Sequence, residues 1–384
     1  MTDAVWSVSW RVVVDGQDMT APMSPYLIDI AVDDKDGAAS DSCRLTLDDR
    51  AGQIRLPKGG ASVVVWLQGV SVFTGVVERV RSSGSRGGGR LLTVSAKGFD
   101  TAGKAKEPLR LHKDDASLKE FLESAAEAAG FTIEVDPAFA GLARDYWAAD
   151  GESLIHLGQR LARELYGTFK LRGTKAVLAQ RGADKGLPTI TGTVGGVEPG
   201  NVINWDIEPV TGRRKFQRGR VRYFDRKAAK FQDEEVEFDG IDGADAANVV
   251  RTPAADRDQA KAIGEGRKAE TQREAGSGFV EIDLEPAAQA EGLFVLTGAR
   301  EGVDGTYRIV GVSHRADRGG GSTTRLELKQ PQGGAGKDGR PEEASPTGAS
   351  GATGTAPGDA ATGATGGAGG GGLPTTDLPG DGPE

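Results

Sequence analysis

The sequence of 384 residues is poor in cysteine, in aromatic residues and in long apolar runs. Cys43 is the single cysteine, so an intrachain disulfide is excluded and stability has to come from packing. No stretch approaches the roughly 20 apolar residues of a membrane-spanning helix, and the amino terminus lacks a basic leader. We therefore expect a soluble protein made in the cytoplasm, without membrane insertion.

Common enzyme motifs are also missing. The sequence has no Gly-x-x-x-x-Gly-Lys-Ser/Thr phosphate loop, no His-Glu-x-x-His, no Gly-x-Ser-x-Gly elbow and no paired cysteine ligands. Its three histidines, His112, His156 and His314, have no second histidine or carboxylate at metal-ligand spacing, so we interpret them as structural. The prediction is a protein that is not an enzyme, with no catalytic residue, no metal and no cofactor.

Charge is unevenly distributed. The net charge is -9, of which residues 331–384 contribute -5 because they hold seven acidic and two basic residues. The remaining -4 gives the body of the chain no general attraction for nucleic acid. Residues 331–384 contain almost nothing apolar larger than alanine, so burial cannot offset the entropy of ordering them. We predict a disordered tail rich in Gly, Ala and Pro over 331–384.

Apolar and polar residues alternate through the first hundred positions, as in half-buried strands. Glycine-rich turns separate these runs, and the run Ser82–Gly89 is predicted to be a loop. Residues 1–105 are therefore predicted to form a first β-barrel domain. The predicted strands lie around Val8–Val14, Tyr26–Val32, Cys43–Leu47, Val63–Leu67, Val72–Val80 and Leu91–Phe99.

The periodicity becomes helical after this region, and residues 106–182 are predicted to be a small α/β insert. Ser117 and Glu120 form a capping box before one amphipathic helix. A second helix begins near Asp150–Ser153 and presents leucines on one face. Between the helices lies a predicted strand, Phe131–Asp136, and after them a hairpin that turns at residues 172–174.

Strand patterns return over residues 183–330, which we predict to be a second β-barrel domain with one exposed helix near Pro253–Glu274. The last strands are predicted at Phe279–Leu284, Leu293–Thr297, Tyr307–Val312 and Arg325–Lys329. The whole chain is thus predicted to be of a mixed, β-rich α+β class, with two tube-like barrels, the insert and the tail.

A short motif occurs in both predicted barrels. Arg86–Gly89 and Arg318–Gly321 both read Arg-Gly-Gly-Gly, and both follow a strand at the same spacing. Consecutive glycines suit hairpin loops that need positive φ angles. Convergence and internal duplication both account for the pattern.

The sharpest charge feature is the basic stretch Arg213–Lys227, in which aromatic residues are interleaved. Such a stretch can hold a nucleic-acid backbone and stack bases. It also fits a barrel strand with Val221 and Tyr223 inward, and this interpretation is favoured because the stretch is isolated in an acidic chain. Arg218, Arg220 and Arg222 are then candidates for a partner interface.

Two segments carry a resemblance to a known family. Gly151–Gly173, GESLIHLGQRLARELYGTFKLRG, combines an acidic residue and Ser with Leu, Arg-Leu-Ala, Glu and Gly in a helix that leads to a hairpin. Asp304–Pro331 has a Gly-Tyr strand, a Val-x-His step and a Gly-x-x-Thr-x-Leu-x-Leu strand. These features resemble the late-control protein D family of phage tail proteins, which is similar to the hub part of type VI secretion spike proteins. One departure is the entry to the second helix, Trp147–Ser153, which is one residue longer than in the family.

The resemblance covers about residues 20–330 and implies a baseplate hub protein of a contractile phage tail or tail-like particle. It implies a homotrimer that joins a sixfold tail tube to a threefold spike, with other baseplate proteins as further partners. The expected location is the virion tail baseplate, after assembly in the host cytoplasm. Two alternatives stay open, a tail-tip cell-wall hydrolase and a nucleic-acid-binding regulator.

Overall fold

A computed structural model of the chain describes residues 6–182, 186–196, 199–210, 216–238 and 246–340. The predicted tail lies outside the described residues from position 341 onward, and its first residues, 331 and 332, end a long strand. Within the described part, no helix has both the length and the apolar character needed to cross a membrane.

Strands dominate the described part of the chain. They are β1 (Trp10–Val14), β2 (Gln17–Asp18), β3 (Leu27–Lys35), β4 (Ser42–Asp48), β5 (Ser62–Leu67), β6 (Val70–Ser85), β7 (Gly89–Lys97), β8 (Pro108–Ser117), β9 (Thr132–Val135), β10 (Ala143–Ser153), β11 (Gly167–Arg172), β12 (Lys175–Gln180), β13 (Thr189–Thr193), β14 (Val202–Glu208), β15 (Arg218–Asp225), β16 (Lys230–Glu237), β17 (Ala247–Ala254), β18 (Ser277–Asp283), β19 (Leu293–Thr297), β20 (Gly305–Asp317) and β21 (Gly321–Gln332).

Helices are few and mostly short. They are α1 (Thr20–Met23), α2 (Leu118–Ala128), α3 (Pro137–Ala140), α4 (Leu154–Glu164) and α5 (Arg257–Arg273). The β-rich class predicted from the sequence is confirmed. Thirteen of the strands form one sheet, and among the described residues no ladder of paired strands closes it into a barrel.

This large sheet consists of two halves with the same strand order. The N-half is β3-β4-β7-β6-β5-β1, and the C-half is β14-β18-β21-β20-β19-β13. Numbered along the chain within each half, both orders read second, third, sixth, fifth, fourth, first. The halves join where β20 pairs antiparallel with β3. Their first strands differ, because β1 runs antiparallel to β5 while β13 runs parallel to β19.

The pairing registers of the two halves also match. A bulge interrupts β3 against β4 between Leu27 and Asp29, and the equivalent bulge interrupts β14 against β18 between Val202 and Asn204. A second bulge interrupts β6 against β7 between Val77 and Arg79, and its equivalent interrupts β20 against β21 between Ile309 and Gly311. Because bulges are specific local features, two shared bulges on one strand order indicate an internal duplication.

The two Arg-Gly-Gly-Gly motifs occupy equivalent hairpins. Ser85 pairs with Gly89 and Asp317 with Gly321, so each hairpin closes over a loop of the same length. Gly89 and Gly321 both have positive φ angles, which glycine adopts without strain. The predicted loop Ser82–Gly89 was too long, because its first four residues continue β6 and are held by backbone pairing with β7.

The insert between the halves has its own apolar core, which extends from Phe99 to Leu178. The capping box predicted for α2 is present, since the Ser117 side chain accepts from the Glu120 amide and the Glu120 side chain accepts from Ser117. α4 begins after Ser153, as predicted, and the predicted hairpin is β11–β12. The long ribbon of β8 with β10 was not predicted, because most of its outward residues are charged.

A smaller unit, here termed the satellite, is inserted between β14 and β18. It contains the three-stranded sheet β16-β15-β17, on which α5 packs through Ala260 and Gly264. The predicted helix Pro253–Glu274 was too long at its start, because residues 253 and 254 belong to β17. It was also wrong in part as an exposed helix, since Arg273 at its end is buried.

Candidate partner-binding surfaces

The three arginines predicted as a partner interface lie on β15, the central strand of the satellite sheet. Val221 and Tyr223 are buried, as the alternation predicts. Arg218, Arg220 and Arg222 project from the opposite face of the strand. Arg213, Arg214 and Lys215, which begin the basic stretch, lie outside the described residues.

Each of these arginines meets a carboxylate of the neighbouring strand β16. Glu235 Oε1 lies 2.7 Å from Arg220 Nη2, and Glu235 Oε2 lies 3.9 Å from Arg218 Nη1. Asp233 Oδ1 lies 3.4 Å from Arg222 Nε. Exposed pairs of this kind contribute only about 0 to 1 kcal/mol each to stability. They do, however, offset the positive charge that would attract a nucleic-acid backbone.

The tip of the β15–β16 hairpin exposes two aromatic rings. Phe224 and Phe231 are 40% and 58% exposed and contact each other edge to face with centroids 5.2 Å apart. Beside them, Arg226 Nη1 lies 2.8 Å from Asp145 Oδ2, which links the satellite to β10 of the insert. Exposed aromatic rings with a charged rim are typical of protein contact surfaces.

A group of mostly buried charges, here termed the ionic junction, lies where the halves, the insert and α5 meet. Arg273 Nη2 lies 2.9 Å from Asp36 Oδ2 and 2.6 Å from Glu291 Oε1. The other members are charged residues of β3, of the segment before β4, of β11 and of the position after β12. They are Asp34, Asp41, Lys170, Arg172 and Arg181.

Proton affinities in the ionic junction follow from burial and pairing. Burial, with repulsion from Asp41, raises the pKa of Asp34. Burial also acts to raise the pKa of Asp41, but Lys170 and Arg172 outweigh it and the pKa is lowered. Burial acts to lower the pKa of Lys170, which the two carboxylates nevertheless raise. The arrangement holds the parts of the chain together, and each charge has an opposite partner.

The histidines and the cysteine lie apart from one another. His112 stacks on Tyr146 with centroids 6.1 Å apart, and His156 lies exposed on α4. His314 is buried in β20, where Nδ1 lies 3.0 Å from Thr324 Oγ1, and burial lowers its pKa to about 4. Burial raises the pKa of the Cys43 thiol well above its usual range. Among the described residues, no three His, Cys, Asp or Glu side chains cluster as a metal site.

β14 and β6 are two strands of the large sheet that each have an unpaired edge within the described part of the chain. From Asn204 to Glu208, β14 pairs with β18 alone, and a single parallel bridge joins Val202 to Val194 on its other side. β6 pairs with β7 from Val76 to Ser85, but its other edge pairs with β5 only as far as Val76. The carboxyl half of β6 therefore has a free edge.

The free edge of β14 is apolar as well as unpaired. Ile203 is 51% and Trp205 41% exposed, whereas Ile30, the residue of β3 equivalent to Trp205, is 0% exposed. Trp205 and Ile207 line a groove of about 570 Å³, whose other wall includes Ala299 and Val303. No signal in the sequence marks β14 as an edge, because its alternation is that of an ordinary half-buried strand.

Comparison with known proteins gives the surfaces a context. The probable baseplate hub protein of Escherichia phage 186 is 24% identical to the chain over 177 residues, which are 46% of the chain and 46% of that relative. The chain is similar to phage baseplate hub proteins. The matched part spans about half the length of that relative, and no family model matches the sequence.

Solved structures with the same fold include two tail proteins and a component of a secretion system. A tail protein of Neisseria meningitidis has a TM-score of 0.63 at 17% identity and covers 84% of the chain and 97% of its own length. The 43 kDa tail protein of a Shewanella oneidensis prophage has a TM-score of 0.63 at 15% identity. The match covers 84% of the chain and 98% of that protein. An Escherichia coli component of the type VI secretion system has a TM-score of 0.53 at 9% identity. The match covers 85% of the chain and 78% of that component. The baseplate hub resemblance predicted from the sequence is confirmed.

Proposed function

We propose that the chain is a structural baseplate hub protein of a contractile phage tail or a tail-like particle. It acts as a homotrimer that joins the sixfold tail tube to the threefold spike. The observation that carries the proposal is the internal duplication of the large sheet, within a fold shared with phage tail proteins. Three chains with two equivalent halves each supply six similar units, and the trimer itself keeps threefold symmetry.

Each half of the sheet acts as one barrel-like unit of the ring. The apolar core of the N-half extends from Val8 to Ala96, and that of the C-half from Ile190 to Ala335. The bridge between Val194 and Val202 brings the first and second strands of the C-half together, which supports a barrel-like shape there. The domains at 1–105, 106–182 and 183–330 remain part of the proposal.

The protein works by geometry rather than by chemistry, in the tail baseplate of the virion, after assembly in the host cytoplasm. Its partners are its own copies, the tail tube protein, the spike protein and other baseplate proteins. The relatives described above are tail, baseplate and secretion proteins, which supports this assignment.

The oligomeric state tests the proposal. We expect the purified chain, at assembly concentrations, to have three times the monomer mass by light scattering, and to bind assembled tube ends. A chain that stays monomeric at these concentrations, while folded by circular dichroism, contradicts the proposal.

The proposed partner interface on β15 is tested separately. If the arginines bind an acidic surface on a neighbour, replacing Arg218, Arg220 and Arg222 together with Ser lowers binding to tube or spike. Unchanged trimer formation and unchanged partner binding would remove these residues from the interface.

A further inference from the structure

The junction between the halves shows how one unit of this sheet pairs with the next. β3 lies antiparallel along the carboxyl half of β20, from Gly311 to Asp317, after the stretch of β20 that pairs with β19. Ser313 Oγ and Asp33 Oδ1 are 2.6 Å apart across this junction. The Arg318 amide, at the hairpin loop, donates to the Ile28 carbonyl at 2.9 Å.

The two strands equivalent to this pair are both open. By the matched registers, β14 corresponds to β3 and β6 corresponds to β20. β14 is unpaired on one side from Asn204, and β6 is unpaired on one side from Arg79 to Ser85. Each chain thus has two open edges, one on β14 at the end of the large sheet and one on the carboxyl half of β6 in the N-half.

We infer that a second copy of this chain covers these edges: β14 of one chain pairs antiparallel with Arg79–Ser85 of β6 of the next, in the register of the internal β3–β20 junction. The inference rests on the proposed function, because it says how the proposed trimer is closed. Such an interface is head to tail, and repetition closes it into a ring when the rotation per unit permits. Every junction around the ring then has the same strand geometry.

Charge in this register is complementary. Glu208 is equivalent to Asp33, and Arg81 to Ser313, so the internal Asp33–Ser313 contact becomes a Glu208–Arg81 ion pair between chains. Both side chains are exposed, and neither has an ion-pair partner within the described part of the chain. Opposite charges placed directly across two strands stabilise the pairing.

Shape and polarity agree with the same register. Trp205 faces Gly84, as Ile30 faces Ala316 in the internal junction, so the largest side chain meets the smallest residue. An exposed apolar edge strand is an aggregation hazard that proteins normally cover, yet β14 exposes Ile203 and Trp205. Pairing with β6 covers the edge and extends the backbone hydrogen bonds.

Cysteine crosslinking tests the register directly. In a Cys43→Ala background, one chain carries Asp206→Cys and a second carries Ser83→Cys, which the inferred register places opposite each other. Oxidation of the mixture is expected to give covalent dimers on denaturing gels, while neither chain alone does. The control mixture replaces Ser83→Cys with Arg79→Cys, which lies about 13 Å farther along the strand, beyond the roughly 7 Å that a disulfide spans.

Charge exchange gives a second, independent test. Glu208→Arg and Arg81→Glu are each expected to weaken trimer formation at least tenfold, and the double variant Glu208→Arg/Arg81→Glu is expected to restore it. Glu127→Arg, an exposed control on α2, should leave assembly unchanged, and circular dichroism checks that every variant folds. A trimer that neither crosslinks in register nor responds to charge exchange overturns the inferred interface and leaves the proposed function standing. A parent chain that is monomeric overturns both.

Discussion

β3 and β14 hold the same place in the two halves, share a bulge and pair in the same register, yet their surroundings differ. β3 lies inside the sheet because β20 covers its second edge, and Ile30 is inaccessible. β14 ends the sheet, and its equivalent Trp205 is exposed. The difference shows that burial in this fold depends on which neighbour completes the strand edge, not on the strand's own pattern.

The largest expected effect comes from the ionic junction, where the two halves are held together. Arg273→Met should lower the free energy of unfolding by about 3 to 5 kcal/mol, because it leaves the buried carboxylate of Glu291 without an ion-pair partner and Asp36 with Arg181 alone. Urea unfolding followed by circular dichroism measures the loss. The control is Arg267→Met on the same helix, where the pair with Glu270 is exposed and the loss should stay below about 1 kcal/mol. Equal losses would show that the halves do not depend on the junction.

The comparison of β3 with β14 is sharpest at their equivalent apolar residues. Ile30→Ala should cost about 2 to 5 kcal/mol in the isolated chain, because it opens a cavity in a packed core. Trp205→Ala should cost less than about 1 kcal/mol at concentrations where the chain is monomeric, because the ring is already partly in water. Thermal or urea unfolding at low protein concentration measures both. A large loss for Trp205→Ala would mean that the β14 edge is already covered within one chain.

His314 on β20 lies in the β3–β20 junction, whereas the equivalent residue on the open edge of β6 is Ser82. Since burial lowers the pKa of His314 to about 4, the unfolded chain takes up this proton near pH 6.5 and the folded chain does not. The contribution of His314 to the free energy of unfolding is therefore fully present above pH 6.5. It falls by about 3 kcal/mol as the pH is lowered to about 4. The difference in unfolding free energy between the parent and His314→Ser should shrink over this range. A constant difference would contradict the burial of a neutral histidine.

The elements that the sequence predicts well are those with a local signal. α2 is marked by Ser117 and Glu120, and β4 by the alternation of Cys43, Leu45 and Leu47, whose side chains are all buried. β8 was missed because its polar outward residues hide the strand, which is stabilised by the ladder to β10 rather than by burial. The two Arg-Gly-Gly-Gly loops were the one local sign of the duplication.

The joining of the halves could not be read from any local pattern. Asp36 and Arg273 are 237 positions apart in the chain, and nothing near Arg273 distinguishes it from the exposed charges of α5. The same holds for the edges, because Ile203 and Trp205 resemble the buried residues of any half-covered strand. A match of the two halves in strand order is needed before β14 stands out as unpartnered.

The β3–β20 junction also constrains the order of folding. Its partners are 280 positions apart, as Asp33 and Ser313 show, so β3 is synthesised long before the strand that covers it. Until then the emerging N-half presents an open edge of the kind that ends the finished C-half. The open edge of β3 in a nascent chain can therefore pair prematurely with another nascent copy. This risk ends when the carboxyl half is complete and β20 pairs with β3 of the same chain.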